Sequence, residues 1–431
     1  MRKIPLVARI LIGFVLGTVL GLVLSECCAP ETTKKILSFI SPFGSVLVAM
    51  LKTVVYPIIL FSLIMGAASL PLKRSGKVGG MVLAWYTATS LFATIFGVGM
   101  AYLMNPSMKA ADQVASSYMA GAQKIAGGAA SGTLADFLVG LFQNPFAALA
   151  NGQFLPIIVF SIAFGLAARS LLDKADTDTT TSKAVQTMLQ CVDGAQKVAF
   201  KLIDCVVLYF PIGVFALSVT NFAENGTLLF GPYFRITLCV MIGVAAMVLV
   251  VYPLVLALFC HENPYRVLVR LREPIVTAFV TRSSAATLPV SFKTMDELGV
   301  DRSLSSFSLP MGATVNMDGV CVHLPVFVIL AANMFGHSLS LFEIGTLCLS
   351  IMFASIGAGG IPGGSVFLLF MVLENMGLPA DQVSLIVALC LGINPILDMF
   401  ETACNVTGDN VCTYIVAKNN GFVSNCRLSN N

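Results

Sequence analysis

The stretch DMFETACNVTGDNV, residues 398–411, lies inside an otherwise apolar run near the C-terminus. It puts three carboxylates, two asparagines and two threonines within one membrane-length span. On a helix Asp398, Glu401, Asn405 and Asp409 follow at spacings of three and four, and so share one face. Ionisable side chains at membrane depth are costly, and they face a cavity, a partner or an ion path. The stretch therefore predicts a membrane helix with an inward polar stripe, which points to transport.

The composition agrees. The chain has 431 residues, 57% of them hydrophobic and 11% charged, with a mean hydropathy of +0.88. A soluble domain carries about a quarter charged residues, so this is an integral membrane protein. A formal net charge of +3 gives no case for nucleic acid. The twelve cysteines are scattered without ligand spacing and read as small buried hydrophobes, with a bridge or metal at Cys27-Cys28 a minor alternative. The N-terminal run MRKIPLVARILIGFVLGTVLGLVLS is too long for a signal h-region. It reads as a first span held inside by Arg2, Lys3 and Arg9.

Apolar segments of spanning length fall near 5–25, 40–68, 79–104, 133–170, 197–222 and 229–260. A helix near 303–335 and a last one over 381–417 complete eight crossings. Basic residues at Lys73, Arg74 and Lys77, at Arg266, Arg270 and Arg272, and at Lys418 and Arg427 put both termini on the cytoplasmic side. The Ala/Gly/Ser-rich residues 105–131 read as an external loop, and 172–186 as an intracellular connector. TRSSAATLPVS (281–291) and SIGAGGIPGGS (355–365) interrupt the apolar stretches 268–295 and 341–376 with small residues, Pro289 and Pro362. Non-helical backbone at that depth must be buried or line a cavity, and paired interruptions in two halves point to a transport site. A small-residue packing face is the bland alternative.

GATVNMDGV (312–320) adds Asn316 and Asp318, with carbonyls expected to be free around Gly312 and Thr314. Such hard oxygens suit a small alkali cation. Tyr86, Thr89 and Ser90 offer more oxygens at i, i+3 and i+4, although such hydroxyls also bond their own helix.

TRSSAATLP, NMDG, SIGAGGIPGGS and NVTGD together resemble the dicarboxylate/amino acid:cation symporter family, which includes glutamate and neutral amino-acid transporters; the resemblance covers essentially the whole chain. It implies an all-α polytopic fold of eight transmembrane helices, two re-entrant helical hairpins and inverted repeats, working as an elevator in a homotrimer surrounded by membrane lipid. Residues 1–75 and 132–226 would be scaffold, and 76–131 and 227–431 the transport domain. The setting would be a bacterial plasma membrane.

The family pattern further implies three sodium ions as co-substrate. One would sit among Gly312, Asn316, Asn405 and Asp409. A second would lie under the outer hairpin, with Ser355, Ile356, Ala358 and Thr314, and a third among Tyr86, Thr89, Ser90, Asn316 and Asp318. The substrate α-carboxylate would meet Ser284 and Asn405 and its ammonium Asp398, with Arg282, Ser283, Thr314, Met317, Gly360 and Thr402 lining the site.

Glu401 departs from the pattern, because carriers of acidic substrates in this family place an arginine there to grip the side-chain carboxylate. An ionised Glu401 would repel that carboxylate by several kcal/mol. A neutral substrate such as serine, threonine, alanine or cysteine is therefore expected. The ETA triplet (401–403) looks like the sodium/serine-threonine branch and NVTGD like the glutamate branch. Arg282 against Asp318, Asp398, Glu401 and Asp409 sums to −3, which three sodium ions and a zwitterion would balance. A structural Glu401–Arg282 pair, a cationic substrate held by Glu401 and an ion channel remain as alternatives. His323 and His337 read as structural, and Asp409 could simply join two helices. Nothing resembles an enzyme's nucleophile–base pair.

Overall fold

The computed structural model describes residues 5–68, 76–104, 139–151, 154–174, 180–336, 338–356 and 363–424, and every regular element in it is helical. The expected external loop, Arg2, Lys3, Lys73, Arg74, Arg427, His337, Ala358, Gly360 and Pro362 lie outside the described residues.

The helices are α1 (Leu6–Cys27), α2 (Pro30–Ala68), α3 (Gly76–Met104), α4 (Pro145–Asn151), α5 (Phe154–Lys174) and α6 (Thr180–Asn225). A span then runs through α7 (Phe230–Ala246), a π-helical turn Met247–Val251 and α8 (Tyr252–Cys260). There follow α9 (Pro264–Arg270), α10 (Arg272–Thr281), α11 (Ser284–Glu297), α12 (Arg302–Val315), α13 (Asp318–Met334), α14 (Leu341–Ser355), α15 (Gly364–Asn375) and α16 (Ala380–Asn419). Eight of the described helices or helix pairs are long and apolar enough to cross a membrane. α2 begins ten residues before the expected segment, and α6 absorbs the end of the connector placed at 172–186. Of the cysteines, Cys27 and Cys28 are both free.

Two groups of helices emerge from the packing. α1, α2, α5 and α6 lie together; α3 packs with α7, α12, α13, α14 and α16, and α10, α11 and α15 join that second group against α16. α1 approaches α6 along Gly13, Gly17 and Gly21, where a Cβ would meet Pro211 O at 2.5 Å, Phe215 O at 2.5 Å and Phe222 Cβ at 2.7 Å. Small residues at every fourth position let helices pack closely where lipid gives no hydrophobic drive. The opposite side of α1, with Ile12, Val15, Leu16 and Val19, is exposed and apolar, as a lipid-facing surface requires. Burial is uneven across the helices. The most apolar window of Arg302–Met334 is 100% buried, against 33% for that of Ala8–Cys27. α12 and α13 are the centre of the second group, and the Tyr56 hydroxyl donates to Glu374 Oε2 (2.7 Å) between the groups.

The first interrupted segment is a helix–turn–helix, and of the second the helices on either side of residues 357–362 are described. In the first, Arg282 takes a left-handed conformation (φ 53°) and Ser283 caps α11 by accepting from Ala286 N–H at 3.2 Å. The interruption lies at Arg282–Ser283 and not at Pro289, which sits inside α11. Pro289 falls in the second turn, where its ring costs one hydrogen bond without ending the helix. In the second, Ser340 and Glu343 form a capping box for α14, and Gly363 (φ 78°) opens α15.

A further close approach fixes the centre. A Cβ on Gly319 would run into the backbone of Glu401 on α16. Gly319→Ala should therefore lower unfolding stability in detergent by about 1–3 kcal/mol. Gly345→Ala, where nothing lies within 4 Å, should leave stability unchanged or raise it. Equal effects would refute the packing argument.

Candidate functional site

α12 and α13 are one span broken at Asn316 (φ −101°, ψ 82°) and Met317 (φ −105°, ψ 57°). The break exposes helix-end groups in the middle of the protein, and these must be satisfied. Asn405 of α16 does so, with Oδ1 accepting from Gly319 N–H at 2.7 Å and Nδ2 directed to Met317 Sδ at 3.3 Å. Asp318 occupies the first turn of α13, where the helix dipole favours an anion. The break comes later than the sequence suggested. Asn316 N–H still bonds Gly312 O at 2.9 Å, because a capping residue's amide reaches back one turn. The Gly312 carbonyl keeps its second lone pair.

Around this break α3, α13 and α16 assemble a buried oxygen cluster. Asn316 Oδ1 accepts from Thr89 Oγ1 (3.0 Å) and lies 3.4 Å from Ser90 Oγ, while its Nδ2 donates to Asp409 Oδ1 (3.1 Å). Asp318 Oδ1 accepts from Ser90 Oγ (2.8 Å), and Oδ2 from the Tyr252 hydroxyl (2.7 Å). Tyr86 donates to Ser308 O (3.0 Å). Gly312 lies so close that a Cβ there would sit 2.6 Å from Asp409 Oδ1 and 2.8 Å from the Tyr86 hydroxyl. The cluster thus gathers Tyr86, Thr89, Ser90, Gly312, Asn316, Asp318, Asn405 and Asp409. Asp318 and Asp409 are 0% and 3% exposed, and no basic side chain pairs with either among the described residues. Two buried carboxylates without a counter-charge are expensive. A hard cation is the chemically fitting complement, since oxygen donors suit it.

A second grouping joins both interrupted segments. Asp398 Oδ2 lies 3.5 Å from Arg282 Nη1 and accepts from Gly363 N–H at 3.1 Å. Ser284 Oγ, two residues after Arg282, is buried with no hydrogen-bond partner. Ser283 is committed to its capping bond.

Glu401 does not pair with Arg282. It lies one turn beyond Asp398, on the side of α16 that packs on α13, and its Oε1 contacts His323 Nδ1. Its Oε2 is buried without a partner. His323, read from sequence as structural, thus belongs to the polar interior. So does Tyr252, which no motif marked. The usable signal was the one that singled out Glu401: a polar or ionisable side chain at membrane depth. Other hydroxyls turn to their own helices, Thr314 to Met311 O (2.9 Å), Thr402 to Asp398 O (2.7 Å) and Ser355 to Met352 O (2.8 Å). Ile356 closes α14, and nothing described draws these last residues into the cluster around Asn316.

The chain is 31% identical to the neutral amino acid transporter B(0) of Homo sapiens, over 95% of this chain and 79% of that one. It is 31% identical to the serine/threonine transporter SstT of Bifidobacterium adolescentis (94% and 87%). Identity to the proton/sodium-glutamate symport protein of Geobacillus stearothermophilus is 28% (97% and 95%). All three are transporters by name, none an enzyme, and a broken central helix beside a buried carboxylate cluster accords with that. The sequence profile of the Sodium:dicarboxylate symporter family matches residues 6–419, and the chain belongs to that family.

Proposed function

We propose that the protein couples sodium entry to import of a neutral amino acid with a small or hydroxyl-bearing side chain. The observation that carries the reading is the pair of uncompensated buried carboxylates, Asp409 held by Asn316 and Asp318 by Ser90, ringed by the oxygens of α3. Sodium ions would bind there first, offsetting charge that otherwise penalises the closed site. One ion would use Gly312, Asn316, Asn405 and Asp409, and another Tyr86, Thr89, Ser90, Asn316 and Asp318. A third would lie under the outer segment with Thr314, Ser355, Ile356 and Ala358.

The substrate would bind between the two interrupted segments. Its carboxylate would take the unpartnered Ser284 Oγ, and its ammonium Asp398, with Arg282 sharing that carboxylate. Arg282, Ser283, Met317, Gly360 and Thr402 would line the site. Asn405, which holds the helix break, would act by shaping it. Glu401, where acidic-substrate carriers resemble one another in having arginine, favours a neutral side chain, as do the names of the B(0) and SstT relatives.

Residues 1–75 and 132–226 would form the static scaffold of a trimer with both termini cytoplasmic. The remainder would move as an elevator with the outer segment as gate. The separate packing of α1, α2, α5 and α6 supports this division.

Asp409→Asn should raise the sodium concentration needed for half-maximal uptake at least tenfold while substrate affinity at saturating sodium changes less. Equal losses would remove Asp409 from the ion site. Glu401→Arg should weaken serine and admit aspartate or glutamate in competition assays. Retained transport with unchanged selectivity would make Glu401 structural. Accumulation of labelled serine in proteoliposomes driven by a sodium gradient tests the whole reading, and sodium-independent equilibration would instead indicate a channel.

A further inference from the structure

We propose that His323 and Glu401 form a buried imidazolium–carboxylate pair, and that His323 thereby determines which substrate side chains are accepted. The inference rests on the placement of Glu401 in the substrate site given above.

The contact between His323 Nδ1 and Glu401 Oε1 requires a proton between them. The other ring nitrogen, Nε2, lies 3.6 Å from Cys390 Sγ. The Cys390 S–H has its own acceptor, Asn394 Oδ1 at 3.9 Å, which also accepts from Ser365 Oγ at 3.3 Å. With its proton turned to Asn394, the sulfur offers a lone pair to Nε2, which then donates. Both ring nitrogens are then donors, as the proposed imidazolium form requires. Phe327 closes a further side, with ring centroids 4.8 Å apart.

The pair also gives Glu401 a counter-charge. His323 and Glu401 are 0% and 1% exposed, and a lone carboxylate at that depth would carry an uncompensated charge. The other charged group nearby, Asp398, is engaged by Arg282. The titratable neighbours are Cys390 and Cys404 on α16, and Tyr233 of α7 beside Cys390.

The functional consequence lies in Glu401 Oε2, buried and without a partner. Beside an imidazolium it is a hydrogen-bond acceptor in a pair of zero net charge. A hydroxyl or amide side chain can donate to it. A cationic side chain would add charge with nothing left to balance it, and a carboxylate would set acceptor against acceptor.

The chain has three histidines, so ¹⁵N-histidine labelling with His323→Gln as the assignment control isolates the His323 ring. At neutral pH both nitrogens of His323 should be protonated in the wild-type protein, and one in Glu401→Gln. A singly protonated ring in the wild type overturns the pair. In thermal-shift titrations with serine and lysine, His323→Gln should move the affinity ratio toward lysine by on the order of tenfold. His323→Lys, which restores a positive charge, should return the preference to serine, and so should His323→Gln combined with Glu401→Gln. An unchanged ratio in His323→Gln overturns the specificity role. A wild-type protein that shows the doubly protonated ring but binds no neutral amino acid overturns the substrate reading instead, leaving the pair intact.

Discussion

The break between α12 and α13 is the constraint on which the interior depends. A helix interrupted at membrane depth must find partners for its freed ends, because no water is there to supply them. Asn405 supplies them from α16, and Gly319 lets the two backbones meet without a Cβ between them. The contact is short enough to fix the register of α13 on α16 residue by residue. That register puts Asn316 beside Asp409, and it brings His323 to Glu401 one turn along.

The same break explains how so many acids tolerate burial. Each is met by a different device. Asp318 accepts from a serine and a tyrosine hydroxyl, Asp398 from Gly363 N–H beside Arg282, and Glu401 meets a histidine. Asp409 has an asparagine amide and no basic partner among the described residues. On the proposed reading this unevenness is the coupling mechanism. Where the protein has supplied its own counter-charge the site is ready for substrate, and where it has withheld one a sodium ion completes it. A closed state without sodium would bury Asp318 and Asp409 charged and unbalanced, which disfavours movement of an incompletely loaded protein.

Much of this was legible in the sequence, because spans and interruptions are local properties. Apolar length marked the crossings, small residues in apolar runs marked where each of two helix pairs divides, and the 3–4 spacing put Asp398, Glu401, Asn405 and Asp409 on one face. Partners across helices were less legible. The interruption expected over 281–291 narrows to Arg282 and Ser283, while Pro289, in the same stretch, stays inside a helix. Glu401 looked available to Arg282, but the side of α16 it occupies belongs to α13. Tyr252 carries no motif, and reaches Asp318 because of how the α7–α8 span packs. Such pairings depend on helix rotation and register, which spacing within one helix does not encode.

The central claim is that a buried oxygen cluster around Asn316 binds sodium and that this binding makes the amino-acid site. Thermal stabilisation of the purified protein across the twenty amino acids, in sodium and in potassium, tests it most directly, since a ligand of the folded state raises its melting temperature by mass action. The account predicts shifts with serine, threonine, alanine or cysteine in sodium and none in potassium. Equal shifts in both salts, or none with any amino acid, would contradict it.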